Sequence, residues 1–221
     1  MHRKHHHRPV AVAGALLLAG LLSWPTAALA QLGGVELPLP SPTPTTTAST
    51  VTGQATAAQV VLLGLLGTAT STSLASTGIS ATNAENDVGQ DTGSIASLLG
   101  AEVLSSVSYS YSDEVDSAAS LANLGLTVAG ISISADSVVA EASQVLGGAG
   151  SGSSYITNLA INDVPVTVSG DPNQTIPIPG GQLVINEQTI SSTGSTVVNA
   201  IHLTVNGVAD VVVASATAAI S

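Results

Sequence analysis

An all-β fold is what this sequence predicts: an antiparallel sandwich or irregular barrel with a C-terminal β-meander, a β-solenoid-like stack being the alternative. Three observations predict it. From Thr52 onward the chain consists of short Val/Ile/Leu/Thr runs punctuated by Gly, Asn, Asp and Ser. The Glu/Lys/Arg/Gln spacing that supports surface helices is almost missing. Three turn signals also sit between alternating runs in the C-terminal half: Asn162-Asp163, Gly180-Gly181 and Asn206-Gly207. Such pairs tolerate the positive φ angles of two-residue hairpin turns, whose twist matches that of paired strands.

The first element is not a strand. His2, Arg3, Lys4 and Arg8 precede the apolar stretch VAVAGALLLAGLLSWP, and Ala28-Leu29-Ala30 follows it. A basic flank, an apolar core and small residues before a cut site are the anatomy of a secretory signal peptide. Residues 1–30 are therefore expected to be removed, with Ala28 and Ala30 recognised by signal peptidase and Gln31 as the mature start. The apolar run is shorter than the roughly 20 residues of a spanning helix, and Pro25 closes it. Membrane contact is accordingly expected only through this transient segment. His5, His6 and His7 lie within it and count as positive flank rather than as a metal site.

Residues 31–52 form the next element, a Pro/Thr-rich linker. LPLPSPTPTTTAST, from Leu37 to Thr50, alternates proline with hydroxyl residues and has no apolar face to bury. Its Ser and Thr residues are O-glycosylation candidates by composition. Residues 53–221 then read as a single β-rich extracellular domain. Its N-terminal strand candidates are GQATAAQVV, SLASTGISATNA, GAEVLSSVSYSY, DSAASLANLGLTVAG and ISISADSVVAEAS. Period-two alternation places Ile131, Ile133, Ala135 and Val139 on one face. VVLLGLLG, Val60 to Gly67, suits a buried helical turn or a buried strand equally. From about Ser154 an antiparallel meander is expected to run to the end, with Ile201, Leu203 and Val205 facing one way and His202, Thr204 and Asn206 the other.

Composition narrows the functions available. Arg3, Lys4 and Arg8 are the only basic residues, so cleavage takes the formal charge from −11 to about −14. Nucleic acid is excluded as a partner, because phosphate neutralisation needs Lys and Arg. Acidic lipid surfaces are disfavoured for the same reason. With no cysteine, disulfides, thiolate metal sites, thiol nucleophiles and a lipid-bearing cysteine are all absent. Beyond Trp24 the aromatics are Tyr109, Tyr111 and Tyr155, so the core must be built from Val, Ile, Leu and Ala.

The text of the domain itself resembles a family. The hairpin NLAINDVPV, the stretch DPNQTIPIP with its glycine turn, LVINEQ, and the closing VNAIHLTVNGVADVVVASA are similar to the choice-of-anchor P family of secreted bacterial surface proteins. SLANLGLTVAGISISADSVVAEAS adds to the likeness, which spans roughly Gly53 to Ser221. The resemblance implies an extracellular domain of unknown function, from a family with no assigned enzymatic activity. The partner expected for such a domain is a cell-envelope or extracellular polymer. The expected departure is at the end, where Ile220-Ser221 carries no apolar tail or LPxTG-like sorting signal.

Site chemistry is sparse. No Gly-x-Ser-x-Gly elbow, P-loop, dinucleotide fingerprint or His-Glu-x-x-His occurs. His202, the one histidine after the leader, reads as a structural or surface residue rather than a general base. Glu114 and Asp116 share a strand face while Asp136 and Glu141 fall on opposite faces by parity, and no aromatic-lined cleft frames either pair. Calcium is the more serious ion. Glu85, Asp87 and Asp91, and Asp113, Glu114 and Asp116, supply hard oxygens but lack EF-hand or β-roll spacing and read as solvated turns. Tyr109 and Tyr111 share a face and suit a half-buried core or edge pair, or a ligand platform. Asn173-Gln174-Thr175 matches a glycosylation sequon and, beside Pro172, reads as a turn. The expectation is a non-catalytic binding or structural domain without catalytic residues, cofactor or metal. The alternatives are a carboxylate-dependent extracellular hydrolase and a self-assembling surface fibre, the latter motivated by VADVVVASATAAIS as an open edge.

Overall fold

The computed structural model describes residues 50–64, 68–192 and 194–221. The predicted signal peptide with Ala28 and Ala30, most of the linker, and the end of VVLLGLLG lie outside them. The described chain is all-β and makes two antiparallel sheets packed as a sandwich, without a closed barrel. Sheet A contains, in spatial order, β10 (Gln174–Ile178), β11 (Gly181–Ser191), β12 (Ser195–Val205), β13 (Ala209–Ile220), β1 (Val51–Leu63) and β2 (Ala69–Ser76). Sheet B runs β3 (Ala84–Ile95), β4 (Leu99–Ser110), β5 (Glu114–Val128), β6 (Ile131–Val145), then β8 (Ala160–Ile161) and β9 (Val164–Pro165), with β7 (Ser151–Thr157) also paired to β6.

Long runs free of Pro and rich in Val, Ala, Ser and Thr form these strands because their small or β-branched side chains fit a pleated surface buried on one side. Tight turns join them. At β8–β9, Asn162 and Asp163 both take positive φ (49° and 61°), the primed turn expected there. The next turn falls one residue earlier than expected: Pro179-Gly180 forms it, with Gly180 at φ 75°, while Gly181 already pairs with Ile178 and Val205. Proline fixes the first central φ, and glycine supplies the positive one. The third is a longer loop, Asn206 to Val208, closed by Val208 N–H donating to the Val205 carbonyl.

The meander proper is β10 to β13, continued by β1. β7, β8 and β9 belong to the other sheet, so the expected start near Ser154 gives way to Gln174. β1 begins at Val51, which pairs with Ile220, and Thr50 and Ser221 exchange backbone hydrogen bonds at 3.1 Å. β13, which carries VADVVVASATAAI, is paired on both sides, to β12 and β1. It is therefore a central strand and not the open edge that motivated the fibre reading.

A line of backbone reversals crosses each sheet. Along β6, Ile131, Ile133 and Ala135 face the core, but the next buried residues are Val138, Ala140 and Ala142. Val139 consequently faces outward, against the expectation from parity, and Asp136 and Glu141 are both exposed on the outer side. β5 switches at the paired position, from Leu121 to Leu124 through Asn123 at φ 49°, and β4 switches at Val103, also φ 49°. In sheet A the corresponding row is Asn186, Ala200, Ala214, Ala57 and Ala75, with positive φ at Asn186, Ala214 and Ala75. These five are buried.

The core between the sheets is apolar over most of its length, through Leu121, Ile133, Leu183, Ile185, Ile201 and Leu203. One end is polar. Ser80 Oγ donates to the Gly53 carbonyl at 2.8 Å and lies 3.0 and 2.7 Å from the hydroxyls of Ser108 and Ser110, and Ser108 reaches Ser117 at 3.0 Å. Nearby on β4, buried Ser106 Oγ has no partner among the described residues. Gln144 and Thr196 extend this character, the threonine hydroxyl donating to Gln144 Oε1 at 3.1 Å. Each hydroxyl that finds a partner avoids the roughly 1–3 kcal/mol cost of a buried unsatisfied group.

Candidate functional site

Four strands of sheet B frame a trough of about 360 Å³ on its outer face. Cross-strand register builds it. One row is Val107, Ala118, Glu141 and Ser153, and the next is Tyr109, Asp116, Ser143 and Ser151. Ala and Ser make a low floor, so the larger Tyr109, Asp116 and Glu141 stand above it. On β3, Asp87 and Glu85 pair with Val107 and Tyr109 and extend both rows. Tyr155 projects one row beyond on β7, 65% exposed.

The electrostatics of this face are uniformly negative. Partial burial, then the charges of Glu85 and Asp87, raise the Tyr109 phenol above the ordinary tyrosine range, with a hydrogen bond to Glu85 adding to the effect. Tyr109 is thus a neutral O–H donor at physiological pH. Ser153 Oγ donates to Glu141 Oε2 at 3.1 Å and holds that carboxylate toward the β7 side. Asp116 sits diagonally across from Glu141 on the neighbouring strand, a relation that places Cα atoms roughly 7–8 Å apart. Parity in the sequence puts Asp116 on the same face as Glu114, but pairing it with Glu141 needs the register of β5 with β6. Sequence reasoning missed this.

Tyr109 lies in the trough, and Tyr111 lies just past the end of β4, where its N–H donates to the Glu114 carbonyl and its ring is half exposed, near enough to add to the upward shift of the Tyr109 phenol. The two acidic clusters do not converge either. Among the described residues no group of three or more His, Asp or Glu side chains is placed to hold a metal ion. Asn173 takes φ 62° and caps the approach to β10, its side chain accepting from the Gln188 N–H at 3.0 Å, as a turn residue does.

His202 has a different role. It sits on the outer face of sheet A with its Nδ1 2.9 Å from Glu187 Oε2 and its Nε2 3.1 Å from Asp210 Oδ2. Half-burial alone would lower its pKa, but the hydrogen bonds and charges of Glu187 and Asp210 outweigh that, and the net shift is upward. Asn199 Nδ2 also donates to Glu187 at 2.6 Å, and Ser215 Oγ donates to Asn199 at 2.7 Å. With both ring nitrogens engaged by carboxylates, the imidazole has no lone pair aimed at a substrate. It is a clamp across β11, β12 and β13 rather than a general base.

No family model, curated protein or solved structure matches the chain. Among the described residues no helix is long and apolar enough to cross a membrane.

Proposed function

We propose that this protein is a non-catalytic, secreted or cell-surface-associated binding module, and that its outer trough on sheet B takes an uncharged, hydroxyl-rich polymer such as a neutral glycan. The observation that carries the reading is the trough itself: a low Ala/Ser floor with Tyr109 inside, Tyr155 one row away, and the carboxylates of Asp116 and Glu141 standing up from it. Tyrosine faces stack on sugar rings, and carboxylates accept charge-assisted hydrogen bonds from sugar hydroxyls. An anionic polymer would meet only like charge there, since no Lys or Arg follows Arg8. The leader-like residues 1–30 and the resemblance to the choice-of-anchor P family support an extracellular setting.

The test is co-sedimentation with insoluble neutral polysaccharides, comparing the parent with Tyr155→Ala and Tyr109→Ala. Retention by at least one polysaccharide, weakened about five- to tenfold by each substitution, is expected from stacking losses of roughly 1–1.4 kcal/mol. Retention insensitive to both, or none at all, overturns the trough as the binding surface. The diagonal Asp116–Glu141 pair favours one second reading, a carboxylate-dependent glycoside hydrolase. Release of new reducing ends from the bound polysaccharide, abolished by Glu141→Gln, would establish that reading instead.

A further inference from the structure

We infer that the free edge of β2 joins two copies of this chain into a closed dimer. The argument rests on edges and charge, and it is independent of the glycan reading. A sheet edge offers unpaired N–H and C=O groups, which proteins ordinarily block with charge, proline, short length or a covering group. Three edges here are blocked in these ways. β3 carries Glu85, Asp87 and Asp91. β10 contains Pro177, and its first residue, Gln174, binds the passing segment through the Ser169 N–H and the Thr167 carbonyl, both at 2.8 Å. On the remaining side of sheet B, β9 is two residues long and ends in Pro165, while the Gly152 carbonyl of β7 accepts from Gln188 of sheet A at 3.1 Å.

Among the described residues, β2 has none of these guards. ATSTSLAS contains no charge and no proline, pairs only with β1 in the described chain, and exposes Ala69 through Ser73 on both faces. Thr70 and Thr72 are β-branched and favour the extended strand. The occupant follows from the charge balance. All fourteen acidic residues except Glu36 lie in or beyond β3, and the sole cation-forming side chain after Arg8 is His202, already clamped between two carboxylates. A second copy therefore meets repulsion at nearly every surface but this one. Antiparallel pairing of the exposed run Ala69 to Ser73 with itself opposes Ser, Thr and Ala only, and a twofold contact uses the same edge on both partners. A twofold contact uses up the β2 edge of both partners, so pairing through β2 closes at two copies instead of growing into a fibre.

Sedimentation of the purified chain over concentrations up to the millimolar range tests this, together with Thr70→Glu/Thr72→Glu, which sets like charges across the twofold. The parent is expected to sediment as a concentration-dependent dimer. The double variant, altered only at exposed positions, should remain monomeric, with a thermal midpoint equal to that of the parent diluted to monomer. Since the chain has no cysteine, single-cysteine variants give a second measurement. Oxidation should cross-link at least one of positions 70 to 73, where a residue meets its own copy, and should not cross-link Gly89→Cys on the guarded β3 edge. A monomeric parent at every concentration, a dimer that survives the double substitution, or cross-linking that ignores β2 each overturns the proposal.

Discussion

The two sheets solve one geometrical problem in opposite ways. The long central strands of each sheet reverse the phase of their alternation partway along, and a reversal places two consecutive residues on the same side. In sheet A the doubled residues turn inward: Ala200 and Ile201 on β12, Val213 and Ala214 on β13, Ala57 and Ala58 on β1. The row is mostly alanine because two adjacent side chains must share the space of one. In sheet B the doubled residues turn outward: Glu102 and Val103, Ala122 and Asn123, Asp136 and Ser137. Water tolerates size there, and the row is polar. Glu102 accepts from Asn123 at 2.7 Å, and Asp136 from Asn158 at 2.6 Å. One backbone device thus imposes two sequence rules, set by which side the extra residue faces.

Breaking the inward row should have the largest effect. Ala214 is fully buried at φ 52°, so Ala214→Val both overpacks the core and forces a β-branched residue into the left-handed region. A loss of about 2–4 kcal/mol is expected from denaturant unfolding. The same substitution class at an outward position such as Ala122 should cost well under about 1 kcal/mol. Equal losses at both would mean that the inward/outward distinction does not govern the row.

The outer faces differ as well: carboxylates on sheet A are gathered by His202, whereas those in the trough of sheet B have only hydroxyl or phenol neighbours. The folded pKa of His202 is raised above its unfolded value of about 6.5. The stability it contributes is therefore full below that pH and lost as pH rises through the folded pKa. Thermal unfolding at constant ionic strength should give a higher midpoint near pH 5 than near pH 9, and His202→Gln should remove the part of this difference worth about 1 kcal/mol or less. An unchanged pH profile in the variant would leave the clamp without energetic weight.

The smallest expected effect sharpens the outward row. Val103 is exposed at φ 49°, a region β-branched residues avoid. Val103→Gly relieves about 1–2 kcal/mol of strain against a backbone-entropy cost of roughly 0.5–1 kcal/mol. A net gain of about 0.5–1 kcal/mol in unfolding free energy should result. A loss would show that the valine side chain contributes contacts beyond its own strain.

These reversals also explain what the sequence shows and hides. Alternation over Ile201 to Val205 assigned its faces correctly, and Asn162-Asp163 lies at the hairpin tip expected. The same rule failed across Asp136, because a period-two pattern carries no mark of a phase change when Ser, Ala and Val occupy both sides of it. Sheet membership was hidden for a related reason. β13 reads as an edge from its low charge, yet low charge is equally what a strand paired on both sides requires. Tyr109 could be placed on a face from its own strand, but its neighbours Asp116 and Glu141 come from strands whose register no local signal encodes.

The exchange of hydrogen bonds between Thr50 and Ser221 at the start of the β1–β13 ladder has a mechanical meaning. Tension applied through these two residues pulls apart neighbouring antiparallel strands from their shared end. Force then falls on one pair at a time, Val51 with Ile220 first and Gly53 with Ala218 soon after, rather than on the whole ladder in shear. A chain loaded through both of these points would peel open at low force, whereas a load borne through only one of them would leave the sandwich unstressed.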